Sequence, residues 1–416
     1  MTIKQKNSVV WTVRFVGIIA VFLVLVAAGE IVKTYKETQG REGPGSYYKL
    51  VKIIPEGKTF QVIEKKKNWY KVKYEDVEVW ISGNSVGTEQ ESATRDPFES
   101  FAINDITSAR ASPTVLTAAI KGFWTRYSRS EGLSADLPVE GYDIPAVTFE
   151  TFSQERSRTV NREALLKKYK LRSKDKKHKL TYEREHSIGF TCASAVADAP
   201  LLENEDLIGY VHSVGWYIAE CTDRYDIRFN YYIIDTDRVN AVSCPGGYIV
   251  LTKGLLNLLN DESELAALLA HEMAHVIAGH GMIEVIDSEV QNKAGTSFDS
   301  LNRLTGGATD AEKDLAAIAN RAVSIANSPK LDKYEFEADE MALRYMARSG
   351  YDLSGHVRLL NLLMTKHEQN IDIFDLNYRN HPDFKDRLKR TGNAMREYRN
   401  YSGMTFSENF RNNMVF

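Results

Sequence analysis

Two histidines and a glutamate have a spacing that suits metal chemistry in the segment HEMAHVIAGHG, residues 271–281. His271 and His275 are four residues apart, so on an α-helix their imidazoles lie about 40° apart around the axis and about 6 Å apart along it. Both rings can therefore bind one ion. Glu272 lies about 100° round the helix, where its carboxylate can reach a water on that ion. This H-E-x-x-H spacing indicates a zinc hydrolase in which the glutamate is the general base.

A catalytic zinc needs a third protein ligand and an open position for water. His280 follows His275 by five residues, which on a continuous helix turns it about 140° away, so we interpret it as a helix-end histidine near the helix dipole. The segment SPKLDKYEFEADEMALRYMARSG, residues 328–350, offers a better candidate. Its Glu335 and Asp339 share one helix face. We predict Glu335 as the third ligand, with Glu337 and Glu340 as alternatives, although Glu337 lies about 160° round the helix from Glu335. Asp339 is predicted as the acceptor that fixes the tautomer of a ligand histidine.

Two helices must position these residues. The first is predicted in NDESELAALLAHEMAHVIAGHG, with Asp261 as N-cap, Glu264 completing a capping box and Gly281 as the C-terminal cap. Leucines at helical spacing give it one apolar side, which disfavours the alternative of a surface helix with stray histidines. The second helix is predicted to begin with Ser328 as N-cap and to end at Gly350.

Length and composition allow two or three domains in the 416 residues. The net charge of −3 gives no reason to expect a nucleic acid partner. Cys192, Cys221 and Cys244 are too few for a disulfide framework, although one disulfide and one thiol can form in an oxidising compartment. The sequence does not choose the pair.

Residues 1–29 form an export segment. Their uninterrupted apolar part, residues 15–28, has the 14-residue length of a signal-peptide core. Counted from Val9, with Arg14 at the cytoplasmic face, the run reaches 20 residues and can span a membrane as an uncleaved anchor. Either interpretation predicts an extracytoplasmic protein of the bacterial periplasm or cell envelope, secreted or singly anchored.

Short alternating strands with close turns follow at residues 41–88. Tyr70, Val72 and Tyr74 point to one face, and tight turns are predicted at Glu75–Asp76 and at residues 55–57. The pattern predicts a small barrel. With its Gly-Pro, its "EGxxxxV" segment and its W-Y-K-V strand, the stretch resembles the bacterial SH3-like domain, which binds cell-wall peptides or holds other domains in place. A spacer role and a binding role, with a cell-wall or protein ligand, both stay open.

Residues 91–185 are predicted to be a helical connector without chemistry, and residues 186–400 an α+β domain. Within the latter, two strands are predicted, in DIRFNYYIIDT (226–236) and GGYIVLT (246–252). Long helices are predicted after them. The expected fold class is therefore α+β: a mainly helical zincin-type domain with a small β-sheet, preceded by a small all-β SH3-like barrel.

The HEMAH and E-x-x-A-D motifs, with VNAVSCPGGYIVLTKGLL before them, resemble the HtpX-like and CaaX-prenyl-protease-type zinc endopeptidases, which are gluzincins. The resemblance covers about residues 186–390. It implies one zinc ion per chain held by His271, His275 and Glu335, with Glu272 as general base and Asp339 in support.

The same resemblance implies two further sites. Asn240 and Ala241 are expected on an edge strand that pairs with an extended substrate. The HPDFKDRLKR segment matches a His-Pro motif followed by an arginine, here His381, Pro382 and Arg387. In it, His381 either stabilises the oxyanion or sets the start of a helix. The prenyl-protease branch has several membrane spans, and this sequence has no second long apolar run, so the exported branch fits better.

The predicted function is a zinc-dependent metalloendopeptidase that cleaves exported or envelope proteins and peptides, with a role in envelope quality control. The alternative is an envelope adaptor or chaperone-like binding protein with a non-catalytic metal site. Glu272 favours the enzyme, because a structural zinc site prefers four protein ligands and has no use for an adjacent base.

Overall fold

The computed structural model describes residues 30–87, 137–138, 141–171, 182–281, 331–374 and 383–416. In these ranges no helix combines the length and the apolar character needed to cross a bilayer. The predicted signal peptide or anchor at residues 1–29 lies outside the described residues.

The N-terminal region is all β, as the sequence predicted. Val72 and Val79 face each other in one hairpin and are fully buried, and the turn between them at Glu75–Asp76 places Glu75 at φ 52°. The Gly57 turn, at φ 82°, is also where the sequence placed it. The eight strands form two antiparallel sheets of order β4-β1-β8 and β3-β2-β7-β6-β5. They are β1 Ile31–Thr34, β2 Thr38–Arg41, β3 Leu50–Ile54, β4 Thr59–Gln61, β5 Glu64–Lys66, β6 Trp69–Tyr74, β7 Val77–Ser82 and β8 Val86–Gly87.

The rest of the described chain is helical around one small sheet. Strand β11 lies in the middle of this sheet, parallel to β9 and antiparallel to β10, so β10 is an outer strand of the described sheet, as expected. The strands are β9 Asn230–Ile234, β10 Ala241–Cys244 and β11 Tyr248–Thr252. The helices are α1 Ala146–Ser157, α2 Arg162–Lys168, α3 Tyr182–Val196, α4 Glu205–Ala219, α5 Lys253–Leu256, α6 Glu262–Ala278, α7 Asp332–Ser349, α8 Ser354–Gln369, α9 Phe384–Ala394 and α10 Ser407–Asn413.

Helix α6 is the centre of this second region. It packs against α4, α7, α8 and β10, and all 17 of its residues are buried. Asp261 caps it as predicted, because its Oδ1 accepts from the backbone N–H groups of Ser263 and Glu264 at 2.9 and 3.1 Å. Glu264 reaches back to the backbone N–H of Asn260, at 2.8 Å. The helix therefore has a firmly fixed N-terminus.

The predicted C-terminal end of α6 and the predicted N-terminal end of α7 were both wrong. Helix α6 ends at Gly279, at φ 68°, and not at Gly281, because the left-handed backbone that stops a helix occurs two residues earlier. Helix α7 begins at Asp332 after an extended Leu331, so Ser328 is not its N-cap. The other end of α7 is as predicted, with Gly350 at φ 87°.

A buried polar cluster fixes the start of α6. The carboxylate of Glu262 accepts hydrogen bonds from the Tyr210 hydroxyl at 2.6 Å and the Tyr351 hydroxyl at 2.7 Å, and pairs with Arg156 at 2.5 Å. Burial outweighs these partners and raises the pKa of Glu262. Arg156 belongs to α1, in the stretch expected to be a connector, and its neighbour Phe149 is buried in the same core as α6.

The β region is packed against the helical region. Tyr47 lies in the helical region's hydrophobic core, with its ring 4.4 Å from Phe149 and 6.0 Å from Trp216. The Asn84 side-chain amide donates to the Asp223 carbonyl at 2.8 Å and to Asp226 Oδ1 at 3.1 Å. The two regions therefore share apolar and polar contacts.

Candidate metal centre

The structure brings His271, His275 and Glu335 together. The two histidine Nε2 atoms are 3.2 Å apart, and Glu335 lies 3.3 Å from His271 Nε2 and 3.2 Å from His275 Nε2. The three residues are 6%, 3% and 0% exposed. Among the described residues, these three side chains form a cluster that could bind a metal ion.

These distances suit a tetrahedral metal site. For metal–ligand distances of about 2.0–2.1 Å, neighbouring ligand atoms are about 3.3 Å apart. The two Nε2 atoms have this separation, and each lies at a similar distance from one carboxylate oxygen of Glu335, His271 Nε2 from Oε2 and His275 Nε2 from Oε1. Two imidazole nitrogens and one carboxylate oxygen are also a donor set of catalytic zinc sites. The residues present therefore fit a single small divalent cation.

The elements explain why the three side chains meet. His271 and His275 are one turn apart on α6, and Glu335 lies in the first turn of α7, which packs along α6. The positive end of the α7 dipole favours a carboxylate at this position. Burial opposes a charge on His271, but the carboxylates of Asp339 and Glu335 outweigh it and raise its pKa to about 9. The same negative charge favours a cation between the rings.

Asp339 lies where it can fix the tautomer of His271. Its Oδ1 is 3.0 Å from His271 Nδ1, on the far side of the ring from Glu335. With the proton on Nδ1, the lone pair of Nε2 faces the cluster. Although burial would raise the pKa of Asp339, Arg387 and the two histidines His271 and His356 hold it well below its usual range.

Arg387 connects the two carboxylates of the site. Its Nε and Nη2 donate to Asp339 at 2.9 and 2.7 Å, and its Nη1 lies 3.1 Å from Glu335. His356 on α8 adds a further contact to Asp339, at 3.1 Å. Sequence reasoning identified Arg387 only as part of the His-Pro motif and did not identify His356, which no local pattern distinguishes.

His280 lies outside the group of possible metal ligands among the described residues, as predicted, and its ring contacts His275. Its Nδ1 is 2.9 Å from His275 Nδ1, its Nε2 is 3.4 Å from Glu337, and its ring stacks on Tyr334 at 4.4 Å. The prediction assumed a continuous helix, whereas the left-handed Gly279 turns the chain before His280. We assign the Nδ1 proton to His275, which leaves its Nε2 lone pair facing the cluster.

The other predicted site residues are Glu272, Asn240, Ala241 and His381. Glu272 lies beside His271 on α6 and is 6% exposed. Ala241 begins β10, which packs against α6, and Asn240 directly precedes it. His381 lies outside the described residues.

Comparisons with known proteins find relatives for two parts of the chain. Residues 207–394 match the model of Peptidase family M48, and residues 41–87 match the Bacterial SH3 domain. The Beta-barrel assembly-enhancing protease of Escherichia coli O157:H7 is 26% identical over 156 residues, which are 37% of this chain and 32% of that protein. Metalloprotease YcaL of Escherichia coli K12 is 30% identical over 129 residues, 31% of this chain and 48% of that protein.

A more distant match is the human mitochondrial metalloendopeptidase OMA1, 33% identical over 66 residues, 15% of this chain and 13% of that protein. The chain spans about a third of the length of the first of these relatives. The resemblance that the HEMAH, ExxAD and strand motifs predicted is confirmed. Residues 207–394 are thus a domain of peptidase family M48, and a bacterial SH3 domain precedes it in the same chain.

Proposed function

We propose that this protein is a zinc-dependent metalloendopeptidase with one zinc ion per chain. The observation that carries the proposal is the convergence of His271, His275 and Glu335 within 3.3 Å of one another, with Glu272 on the next position of the same helix. The M48 match supports the reaction class.

The chain's own residues would perform most of the chemistry. When bound, zinc supplies Lewis acidity that polarises a peptide carbonyl and activates water. Glu272 removes a proton from the attacking water and then gives it to the leaving amine nitrogen. Asp339 and His280 hold the ligand histidines in the tautomer that binds a cation. His381 is proposed to stabilise the oxyanion, on the basis of the family resemblance alone.

The proposed substrates are protein segments in extended conformation. Strand β10 is an outer strand beside α6, and a substrate could add to it through main-chain hydrogen bonds near Asn240 and Ala241. The relative from Escherichia coli O157:H7 is named for enhancing β-barrel assembly, and residues 1–29 have the pattern of an export segment. We therefore propose exported proteins of the cell envelope as substrates and an extracytoplasmic location.

The test uses the purified full chain, with zinc measured by elemental analysis and cleavage measured on casein. We expect one zinc per chain and cleavage that a chelator abolishes and added zinc restores. Glu272→Gln should keep zinc but lower cleavage by at least about 10²-fold, because the base is lost. Glu340→Gln, at an exposed position of α7, is the matched control and should be fully active.

The adaptor or chaperone-like alternative makes the opposite prediction. A zinc-loaded protein that does not cleave casein, or a Glu272→Gln variant as active as the wild type, would reject the enzyme as described. A binding protein would retain its affinity for unfolded casein after chelation, whereas a peptidase loses turnover.

A further inference from the structure

The sulfur atoms of two cysteines lie unusually close together. Cys192 is on α3 and Cys244 is the last residue of β10, and the Cys244 thiol donates to Cys192 Sγ at 2.7 Å. Both side chains are 1% exposed. The third cysteine, Cys221, is also buried, and its thiol donates to the Tyr217 carbonyl oxygen at 3.6 Å.

A separation of 2.7 Å is nearer to a covalent bond than to a packing contact. Carbon atoms in contact are about 3.5–4.0 Å apart, and sulfur is larger than carbon. A disulfide has an S–S distance of about 2.05 Å, so the two sulfurs need to approach by only about 0.7 Å to reach it.

Backbone packing fixes the two segments independently of the sulfurs. A Cβ at Gly189, one turn before Cys192 on the same face of α3, would lie 1.8 Å from the carbonyl oxygen of Pro245, the residue after Cys244. Gly246, at φ 73°, continues this close approach to the start of α3. The helix and the strand end are therefore held together by main-chain contact, and the cysteines are placed by it.

We propose that Cys192 and Cys244 form a disulfide in the mature protein and that Cys221 stays a thiol. The oxidant is a disulfide, either of a protein dithiol oxidant or of glutathione. One cysteine thiolate attacks it and releases one thiol, and the second thiolate attacks the mixed disulfide and releases the other. Two cysteine thiols are thereby oxidised, the oxidant disulfide is reduced to two thiols, and the protons of the cysteines pass to them.

The bond would tie α3 to the end of β10, the outer strand that packs against α6. It would close a loop of about 50 residues and so restrict the unfolded chain more than the folded one. Both sulfurs are buried, so the bond forms during folding. The proposal depends on the packing of α3 against β10 and not on the catalytic assignment.

The test counts thiols in the full chain. The reduced protein is refolded with oxidised glutathione, denatured, and alkylated with N-ethylmaleimide before mass measurement. We expect one alkylated cysteine without reductant, identified as Cys221, and three after reduction. Peptide mapping should show residue 192 linked to residue 244. Three alkylated cysteines without reductant, or a link that includes Cys221, would overturn the proposal.

Matched variants separate the bond from general damage. Cys221→Ser should show no alkylated cysteine before reduction, and its melting temperature should fall when a phosphine reductant is added, as in the wild type. Cys244→Ser should show two alkylated cysteines before reduction, and the reductant should leave its melting temperature unchanged. If the reductant lowered the melting temperature of Cys244→Ser equally, it would act elsewhere in the protein, which would contradict a stabilising disulfide. Neither readout depends on peptidase activity, so loss of that assignment would leave this test intact.

Discussion

Asp339 has three side-chain partners in the site. It contacts His271, His356 and Arg387, and it is 2% exposed. A buried carboxylate with this many donors stays ionised and has one orientation. It can therefore hold the His271 ring in place before a metal binds, which lowers the cost of assembling the site.

Arg387 should be essential to both the metal site and stability. Arg387→Ala removes the partner of two buried carboxylates, Glu335 and Asp339, so we expect about 3–5 kcal/mol loss of unfolding free energy. We also expect zinc affinity to fall about 10–100-fold. Urea denaturation and competition with a chelator measure the two effects. Arg390→Ala is the control. Arg390 is exposed on α9 and lies over Phe336, so its loss should lower the unfolding free energy by no more than about 1 kcal/mol and leave zinc affinity unchanged. Unchanged zinc affinity in Arg387→Ala would remove Arg387 from the site.

Residue spacing predicted which three side chains come together, but not the contacts around them. The cluster of His271, His275 and Glu335 follows from four-residue spacing and from the need for a third ligand. The contact of His280 with His275 was not predicted, because it depends on where the helix stops. His356 could not have been found, because α8 brings it to Asp339 only through tertiary packing.

At the scale of elements, the end of α6 decides where His280 goes. Gly279 has φ 68°, a conformation that an L-residue adopts only with strain, while Gly281 has no such angle and has open space around its Cα. The chain therefore leaves the helix at Gly279, and His280 can return to His275. This geometry makes the two glycines unequal although both occur in the AGHG sequence.

Gly279→Ala should lower the unfolding free energy by about 1–2 kcal/mol, because alanine is strained in the left-handed region. Gly281→Ala should change it by less than about 0.5 kcal/mol. Urea denaturation of both variants under identical conditions makes the comparison. Equal losses, or a larger loss at Gly281, would mean that the helix ends where the sequence pattern first suggested.

The sequence predicted which of these segments are strands and which are helices, but it did not predict where each helix begins or ends. The apolar runs at 226–236 and 246–252 contain β9 and β11, and the Pro-Gly-Gly before β11 is a turn. Ser328 was predicted as the N-cap of the second helix, yet α7 begins at Asp332. A capping residue favours a helix start, whereas α7 begins after the extended Leu331, which makes no side-chain cap bond.

At the scale of the whole molecule, the SH3 domain is part of the folded body. Tyr47 is in the core beside Phe149 and Trp216, and Trp69 faces Tyr225 of the helical region with ring centres 6.0 Å apart. These contacts favour a role of the SH3 domain in holding the M48 domain in place. The sequence could not reveal this docking, because Tyr47 precedes β3 in a segment without periodic pattern.

Tyr47→Ala should destabilise the whole chain and not the SH3 domain alone. Loss of a buried ring from a shared core costs about 3 kcal/mol or more, so the single urea transition should shift as one. Ile63→Ala, at a position 51% exposed on the SH3 domain, is the control and should have little effect. Separate transitions for the two domains, with only the SH3 transition shifted, would contradict the docked arrangement.

We propose that His271, His275 and Glu335 bind one zinc ion, and X-ray absorption at the zinc edge of the full chain reads out its ligands. We expect two imidazole nitrogens at about 2.0–2.1 Å, a carboxylate oxygen at about 2.0–2.2 Å, no sulfur ligand, and loss of the zinc signal in Glu335→Ala. A sulfur ligand, or an unchanged spectrum in Glu335→Ala, would contradict it.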